Sequence, residues 1–195
     1  MNDVHVSFLY DDAGLRTEKV VDGTTVTYTW SGSTLLSEAT DTYILLYLYD
    51  ESASPIGFQY KTEATTETYF YEKNIQGDIV AVYSEAGAKL ISYAYDAWGN
   101  ANISFHNDGE NTNAIRNPFT YRGYYYDQDL GLYYLQSRYY DAKVGRFISA
   151  DEIAVITASP TTLTDKNLYA YCDNNPIMRG DGDGEFWDTV FDVAS

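Results

Sequence analysis

The chain has 195 residues, and 12 lysines and arginines against 29 aspartates and glutamates give it a formal net charge of −17. Hydrophobic residues make up 45% of the sequence, which excludes the composition of an intrinsically disordered chain. The acidic excess argues against binding to nucleic acid or to an anionic membrane surface, because both need clustered basic residues.

Tyrosine dominates the aromatic content: it accounts for 21 of the 195 residues, and aromatic residues together reach 16%. Aromatic side chains favour β-strands, and the good helix formers do not run in long blocks here. We therefore expect an all-β fold. The longest apolar run, Tyr43 to Tyr49, has the length of a strand and is too short to span a bilayer.

The sequence offers few residues for metal, redox or targeting functions. Its one cysteine, Cys172, excludes an intrachain disulfide and is expected to be a small buried residue. His5 and His106 are far apart in the sequence, so we predict no metal site and no cofactor. Residues 1–12 contain neither the basic nor the apolar region of a signal peptide.

A loosely periodic unit recurs along the chain, made of an aromatic strand, a Tyr-Asp pair and a few small or polar residues with glycine. Its copies lie at residues 8–16, 47–57, 69–78, 93–100, 124–132 and 138–147. The acids at the repeated position are Asp11, Asp50, Glu72, Asp96, Asp127 and Asp141, with Glu72 in a degenerate copy.

The chemistry of this unit predicts a hairpin. Alternate aromatic residues such as Tyr93 and Tyr95 lie on one face of a strand, and the following aspartate can accept hydrogen bonds from turn N–H groups. The glycine then permits positive φ and lets the chain reverse. We interpret the tyrosines as ring ladders inside a sheet, although an exposed tyrosine groove would also suit a carbohydrate.

Three later segments depart from the repeat. The asparagine-rich residues 100–117 are interpreted as an exposed loop, and residues 151–166 as an insert or linker around Pro160. The last apolar residues follow a helical spacing, which predicts the start of a helix capped by Asp181 or Asp183. They are Phe186, Trp187, Val190, Phe191 and Val193.

The second half of the chain resembles a known family. Residues 117–152, NPFTYRGYYYDQDLGLYYLQSRYYDAKVGRFISADE, resemble the RHS repeat-associated core domain, and residues 167–188 resemble its end. The upstream units resemble YD repeats. The ordered positions that carry the resemblance are Gly123, Tyr126, Asp127, Gly131, Leu132, Tyr133, Tyr134, Arg138, Tyr139, Tyr140, Asp141, Gly145, Arg146, Phe147, Ser149 and Asp151.

This resemblance implies a large secreted or cell-wall-associated bacterial polypeptide. Antiparallel hairpins would form a curved, spiralling sheet, a partial RHS shell, with a compact core that plugs one end. The shell would enclose a C-terminal toxin domain, which is the expected partner. The implied divisions are YD repeats at 1–116, the core at 117–184 and the start of a downstream pretoxin segment at 185–195.

The resemblance also implies aspartyl self-cleavage, since some members cut their toxin free with two Asp-Pro-x-Gly motifs. The matching positions here are Asp151, followed by Glu-Ile-Ala, and Asp181, followed by Gly-Asp-Gly. Two carboxylates that share a proton could activate water, and Arg146 and Arg179 could orient them. The alternative is that both aspartates start turns, as the repeat aspartates do.

Three functional hypotheses follow from the sequence. The first is a structural shell and plug that encapsulates a toxin domain. The second is an intramolecular aspartyl autoprotease, and the third is a cell-surface module that binds carbohydrate through exposed tyrosines. A calcium site at the acidic residues 181–185 is disfavoured, because they lack the spacing of an EF-hand loop.

Overall fold

The structure is a computed structural model that describes residues 5–106, 116–150, 167, 169–182, 184 and 188–189. These residues form three antiparallel sheets, joined by turns and two short 3-10 segments, Tyr121–Gly123 and Cys172–Asn174. The predicted all-β class with antiparallel hairpins is therefore confirmed.

The largest sheet, called here the wall sheet, has ten strands in sequence order, and each pairs with the next. They are β1 (Val6–Tyr10), β2 (Arg16–Val21), β3 (Thr24–Ser31), β4 (Thr34–Ala39), β5 (Ile44–Tyr49), β6 (Pro55–Lys61), β7 (Thr66–Lys73), β8 (Ile79–Ser84), β9 (Lys89–Tyr95) and β10 (Ala101–Phe105). Because successive strands run in opposite directions, the hairpin turns alternate between two rims of the sheet.

The Tyr-Asp units build one of these rims, called here the YD rim. It contains the turns after β1, β3, β5, β7 and β9. In four of them the first residue donates its N–H to the carbonyl four residues on, and the fourth residue, at positive φ, donates back to the first. A left-handed residue after a tight turn gives a bulged hairpin, which matches the register shifts in three of these four strand pairs. The four turns start at Asp11, Asp50, Asn74 and Asp96.

Two smaller sheets follow. The four-stranded sheet contains β11 (Tyr125–Asp127), β12 (Leu132–Leu135), β13 (Arg138–Asp141) and β14 (Arg146–Phe147). The strands β15 (Arg179–Gly180) and β16 (Asp188–Thr189) pair with each other. Residues 116–150, which include the four-stranded sheet, are called here the core segment.

Aromatic residues make up more than half of the members of the two buried hydrophobic clusters. One cluster joins the inner face of the wall sheet to the core segment, and a second lies within the core segment and around Tyr171. Ring pairs such as Phe58 with Tyr69 and Tyr140 with Tyr171 stack at centroid distances of 4.9 and 4.1 Å. The prediction that the tyrosines form ring ladders inside the fold is therefore confirmed.

Two of the segment predictions are wrong in part. Residues 101–105 form strand β10 instead of an exposed loop, because Ile103 and Phe105 alternate on one face and pair with Tyr93 and Ile91. Asp188–Thr189 form strand β16, so a helix does not run through these two residues. The predicted linker at 151–166 lies outside the described residues.

Candidate functional site: the seam between wall sheet and core segment

Both ends of the wall sheet contact the same core segment. At the first hairpin, the backbone N–H of Arg16 donates to Tyr134 Oη at 2.9 Å. At the last hairpin, the hydroxyls of Tyr133 and Tyr140 donate to the carbonyls of Gly99 and Trp98 at 2.8 and 2.7 Å. The sheet therefore curves around the core segment, and the contact between them is called here the seam.

The middle of the seam is held by backbone groups and one aromatic anchor. The N–H of Ile79 donates to the carbonyl of Thr120 at 3.0 Å, and the N–H of Arg122 donates to Asp78 Oδ1 at 2.9 Å. Phe119 packs edge-on against Tyr47 at a centroid distance of 4.8 Å. These contacts fix the core segment against strands from the centre of the wall sheet.

A buried ionic cluster lies where β2 meets β11. Arg16 Nη1 and Lys19 Nζ both contact Asp127, at 2.7 and 2.8 Å, and Lys19 also reaches Asp129 at 2.7 Å. The side chains of Arg16, Lys19 and Asp127 are each at most 4% exposed. Burial alone would raise the pKa of Asp127, but Lys19 and then Arg16 outweigh it and lower that pKa.

Aromatic rings surround the Arg16 guanidinium. Its central carbon lies 4.4 Å from the ring centre of Tyr28, 4.5 Å from that of Tyr134 and 5.3 Å from that of Tyr125. Burial by itself lowers the pKa of Arg16, but the surrounding phenols and Asp127 raise it above its ordinary value. Arg16 is therefore a permanently charged group that joins the first hairpin to the core segment.

A second buried acid extends this cluster. Glu38, on β4, accepts hydrogen bonds from the hydroxyls of Tyr125 and Tyr43. The repeat pattern does not single out Glu38, Arg16 or Lys19, because they lie outside the repeated Tyr-Asp pairs. The sequence does contain one indication that Arg16 and Lys19 matter, because they are two of only 12 basic residues in a strongly acidic chain.

The repeat aspartates of the YD rim act locally. Asp11, Asp50 and Asp96 each accept, on Oδ1, the N–H groups two and four residues ahead. Hydrogen bonds from the Ser54 and Ser52 N–H groups lower the pKa of Asp50. The predicted turn-starting role is therefore confirmed for these three residues.

Two repeat acids differ from this pattern. The prediction for Glu72 is wrong, because Asn74 starts that turn and accepts the N–H groups of Gln76 and Asp78. Glu72 is exposed and accepts the hydroxyl of Tyr83 instead. Asp127 forms the ionic cluster described above, so its main partners are distant in sequence.

Asp181, one of the two predicted catalytic aspartates, is buried with a basic partner. Its Oδ1 accepts the N–H of Gly184 at 2.8 Å, and Arg138 Nη2 lies 3.3 Å from its Oδ2. The backbone N–H of Asp181 donates to Tyr124 Oη at 2.7 Å. Arg138 also donates to the carbonyl of Gly184, so the arginine holds both ends of this short turn.

Among the other predicted catalytic residues, the structure describes Arg146 and Arg179. Asp151 lies outside the described residues. Arg146 is exposed on β14, and Arg179 forms an ion pair with Asp173 at 2.7 Å. Cys172 is buried, and burial raises the pKa of its thiol to about 12, which makes it a poor nucleophile.

The described part of the chain offers few features of other kinds of site. No group of three or more His, Cys, Asp or Glu side chains there could hold a metal ion. No helix among those residues is long and apolar enough to cross a membrane.

A tyrosine-lined sheet of hairpins, wrapped around a segment with the same Tyr-Asp motif, defines the class of YD-repeat shell proteins. The chain belongs to the Teneurin YD-shell family, whose sequence model matches residues 2–177.

Similar proteins include a tRNA-specific nuclease and a deaminase toxin. The tRNA3(Ser)-specific nuclease WapA of Bacillus spizizenii is 35% identical over 184 residues, which cover 92% of this chain and 7% of that protein. The double-stranded DNA deaminase toxin A of Burkholderia cenocepacia is 27% identical, over 88% of this chain and 13% of that protein.

Solved structures support the fold assignment. The TcdB2-TccC3-TEV crystal structure matches 94% of this chain and 9% of its own chain, with a TM-score of 0.71 and 20% identity. The Photorhabdus luminescens Tc holotoxin pore, with a TccC3 mutation, matches with a TM-score of 0.65 and 18% identity. The present chain thus spans between 7% and 13% of the length of these four proteins.

Proposed function

We propose that this chain is a wall-and-closure segment of a hollow YD shell that encloses a C-terminal toxin domain of its full-length protein. The wall sheet supplies a curved portion of the shell, and residues 117–184 act as the plug at its end. The surrounding polypeptide is a secreted or wall-associated bacterial protein. The toxin-related proteins that resemble this chain support the partner assignment.

The observation that carries this proposal is the seam. Hydrogen bonds from one core segment reach both the first and the last hairpin of the wall sheet, and the Arg16–Asp127 pair is fully buried. A seam packed as densely as a protein interior should keep water and proteases out of the space that the shell encloses. An enzyme would instead need these polar groups to face an accessible cleft.

Limited proteolysis of the full-length protein tests this role. The C-terminal domain should resist cleavage in the wild type and become accessible in Asp127→Asn, which weakens the seam. Asp50→Asn is the matched control, because Asp50 accepts only N–H groups of its own turn and Asn74 already occupies the same turn position. If the C-terminal domain were cut as fast in the wild-type protein as in isolation, encapsulation would be excluded.

Self-cleavage by Asp151 and Asp181 is a second candidate function. The buried carboxylate of Asp181 lies 3.3 Å from Arg138, and such an arginine could orient the carboxylate as a general base. The engagement of Asp181 with Gly184 and Arg138 equally suits a turn. A denaturing gel of full-length wild type, Asp151→Asn and Asp181→Asn decides: an uncut wild type would eliminate cleavage.

A further inference from the structure

The free edge of the wall sheet borders a sizeable cavity. Among the described residues, strand β10 pairs with β9 on one side only, and all five residues of β10 are exposed. A cavity of about 340 Å³ lies between the inner face of β10 and the core segment. Ile103 and Phe105 line its apolar side, at 46% and 45% exposure.

The backbone of β10 is ready to accept another strand. The N–H of His106 donates to the carbonyl of Leu90 on β9 at 2.8 Å. Because donors alternate along an antiparallel strand, the N–H and C=O groups of Ala101, Ile103 and Phe105 point away from β9. An unpaired row of this kind is a template for strand addition.

The charge of the cavity differs from that of the chain. The chain carries 29 acids against 12 bases, yet the described residues around the cavity include Arg116 and Lys143 and no aspartate or glutamate. The backbone N–H of Lys143 donates to Asp141 Oδ1, but its exposed side chain forms no ion pair among the described residues. Lys143 lies close to the YD-rim end of β10, because Asn100 Nδ2 donates to the carbonyl of Ala142 at 3.0 Å.

We propose that β10 pairs in the full-length protein with a further Tyr-Asp strand, whose inward aromatic side chain fills this cavity and whose aspartate contacts Lys143. This inference rests on the proposed shell function and specifies one of its internal contacts. The occupant is a segment of the same polypeptide outside these 195 residues. The WapA relative has room for such a segment, because the part of it that matches this chain is 7% of its length.

Strand direction supports this occupant. Every odd-numbered strand of the wall sheet runs towards the YD rim, and β10 runs away from it. A strand added antiparallel to β10 would therefore run towards that rim and place its terminal aspartate beside residue 101, near Lys143. Alternation would turn one of its preceding aromatic side chains into the cavity next to Ile103.

A peptide that copies the repeat provides the first test. The fluorescein-labelled peptide KLISYAYD, residues 89–96 of this chain, should bind the 195-residue protein. Ile103→Pro removes one edge donor and one apolar side chain, and should weaken binding more than about ten-fold by fluorescence anisotropy. Lys143→Ala should weaken it by roughly three-fold, as expected for an exposed ion pair.

Matched controls keep this test decisive. Lys61→Ala removes an exposed lysine on the opposite rim and should leave binding unchanged. If Ile103→Pro does not fold by circular dichroism, a peptide N-methylated on alternate amides tests the same edge on the wild-type protein. Absence of peptide binding, or binding that is equal in all variants and peptides, would overturn the proposal.

Photocrosslinking in the full-length protein identifies the occupant. A benzoyl-phenylalanine at position 105 should crosslink to a Tyr-Asp strand of the same polypeptide. Crosslinks to the C-terminal domain or to a second copy would overturn the assignment of the occupant. These outcomes are independent of protease protection, so failure of the edge contact and failure of the shell role are distinguishable.

Discussion

The Tyr-Asp motif has different roles in the wall sheet and in the core segment. On the YD rim, the exposed Asp11, Asp50 and Asp96 accept N–H groups of their own turns. In the core segment, Asp127 is 1% exposed and accepts hydrogen bonds from Lys19 and Arg16, more than a hundred residues away. One dipeptide therefore serves as a local turn element in one region and as a long-range ionic contact in the other.

The difference shows which part of the motif carries the charge requirement. A turn needs only an oxygen acceptor, and Asn74 fills this role in a wall turn without a charge. The buried cluster needs a negative charge, because two buried cations face Asp127. Replacement of aspartate by asparagine at the two positions separates these requirements.

The largest effect is expected for Asp127→Asn. The substitution leaves Arg16 and Lys19 buried without their shared counter-ion, which should cost about 3–5 kcal/mol of the free energy of unfolding. Urea denaturation followed by tyrosine and tryptophan fluorescence measures it. The matched change Asp50→Asn keeps the Oδ1 acceptor of an exposed turn and should leave the free energy of unfolding close to that of the wild type.

Equal losses in the two variants would contradict the contrast between the regions. A pair of variants sharpens it further: Arg16→Met combined with Asp127→Leu removes both charges together. The double variant should be more stable than the sum of the single losses predicts, because the charges of Arg16 and Asp127 disappear together and Lys19 keeps Asp129.

Loss of a seam hydroxyl should have an intermediate effect. Tyr133→Phe leaves the carbonyl of Gly99 without its donor in a buried environment, at a cost of about 1–2 kcal/mol. Tyr10→Phe is the control, since the Tyr10 hydroxyl contacts Tyr139 in an exposed position. A loss that is as large for Tyr10→Phe would show that hydroxyl burial at the seam does not matter.

Much of the wall can be predicted from sequence, because its interactions are local. The aspartate, the turn and the left-handed residue lie within five positions of one another, so the pattern dictates the geometry. The repeat pattern places the degenerate copy at Glu72, whereas the turn starts at Asn74, three residues before its left-handed glycine, Gly77. Strand β10 escapes prediction because its asparagine-rich surroundings conceal the alternation of Ile103 and Phe105.

The seam cannot be predicted, because its partners are distant in sequence. Nothing near Asp127 indicates that Arg16 and Lys19 would meet it across more than a hundred residues. The partners of the predicted catalytic pair are also distant in sequence. Asp181 contacts Arg138, and the relation of Asp181 to Asp151 stays a prediction. The division at residues 116 and 117 also stays a prediction.

The pH dependence of stability provides a smaller difference between the regions. The folded-state pKa of Asp127 is lowered, so its stabilising contribution is complete above the unfolded pKa of about 3.9 and is lost as the pH falls through the folded value. The free energy of unfolding should therefore decline below about pH 4. Asp127→Asn should flatten this decline more than Asp50→Asn; an unchanged slope would contradict the buried cluster.

The smallest predicted effect tests the turn geometry itself. In the turn that starts at Asp50, the left-handed position is occupied by Ala53, at a φ of 57°, where the other Asp-initiated or Asn-initiated turns of the YD rim have glycine. An L-residue in this conformation costs roughly 1–2 kcal/mol, and glycine loses more backbone entropy on folding, about 0.5–1 kcal/mol. The net expectation for Ala53→Gly is a stabilisation of about 0.5 kcal/mol.

The reverse substitution supplies the control for this prediction. Gly77 has the same place in the turn that starts at Asn74, with a φ of 84°, and a methyl group added there would meet open space. Gly77→Ala should therefore destabilise by about 0.5 kcal/mol through backbone conformation alone, with no steric clash. Opposite signs for the two variants in urea denaturation would establish that a left-handed fourth residue, together with an oxygen acceptor at the first, defines the wall turn. Equal signs would show that the wall turn depends on other contacts.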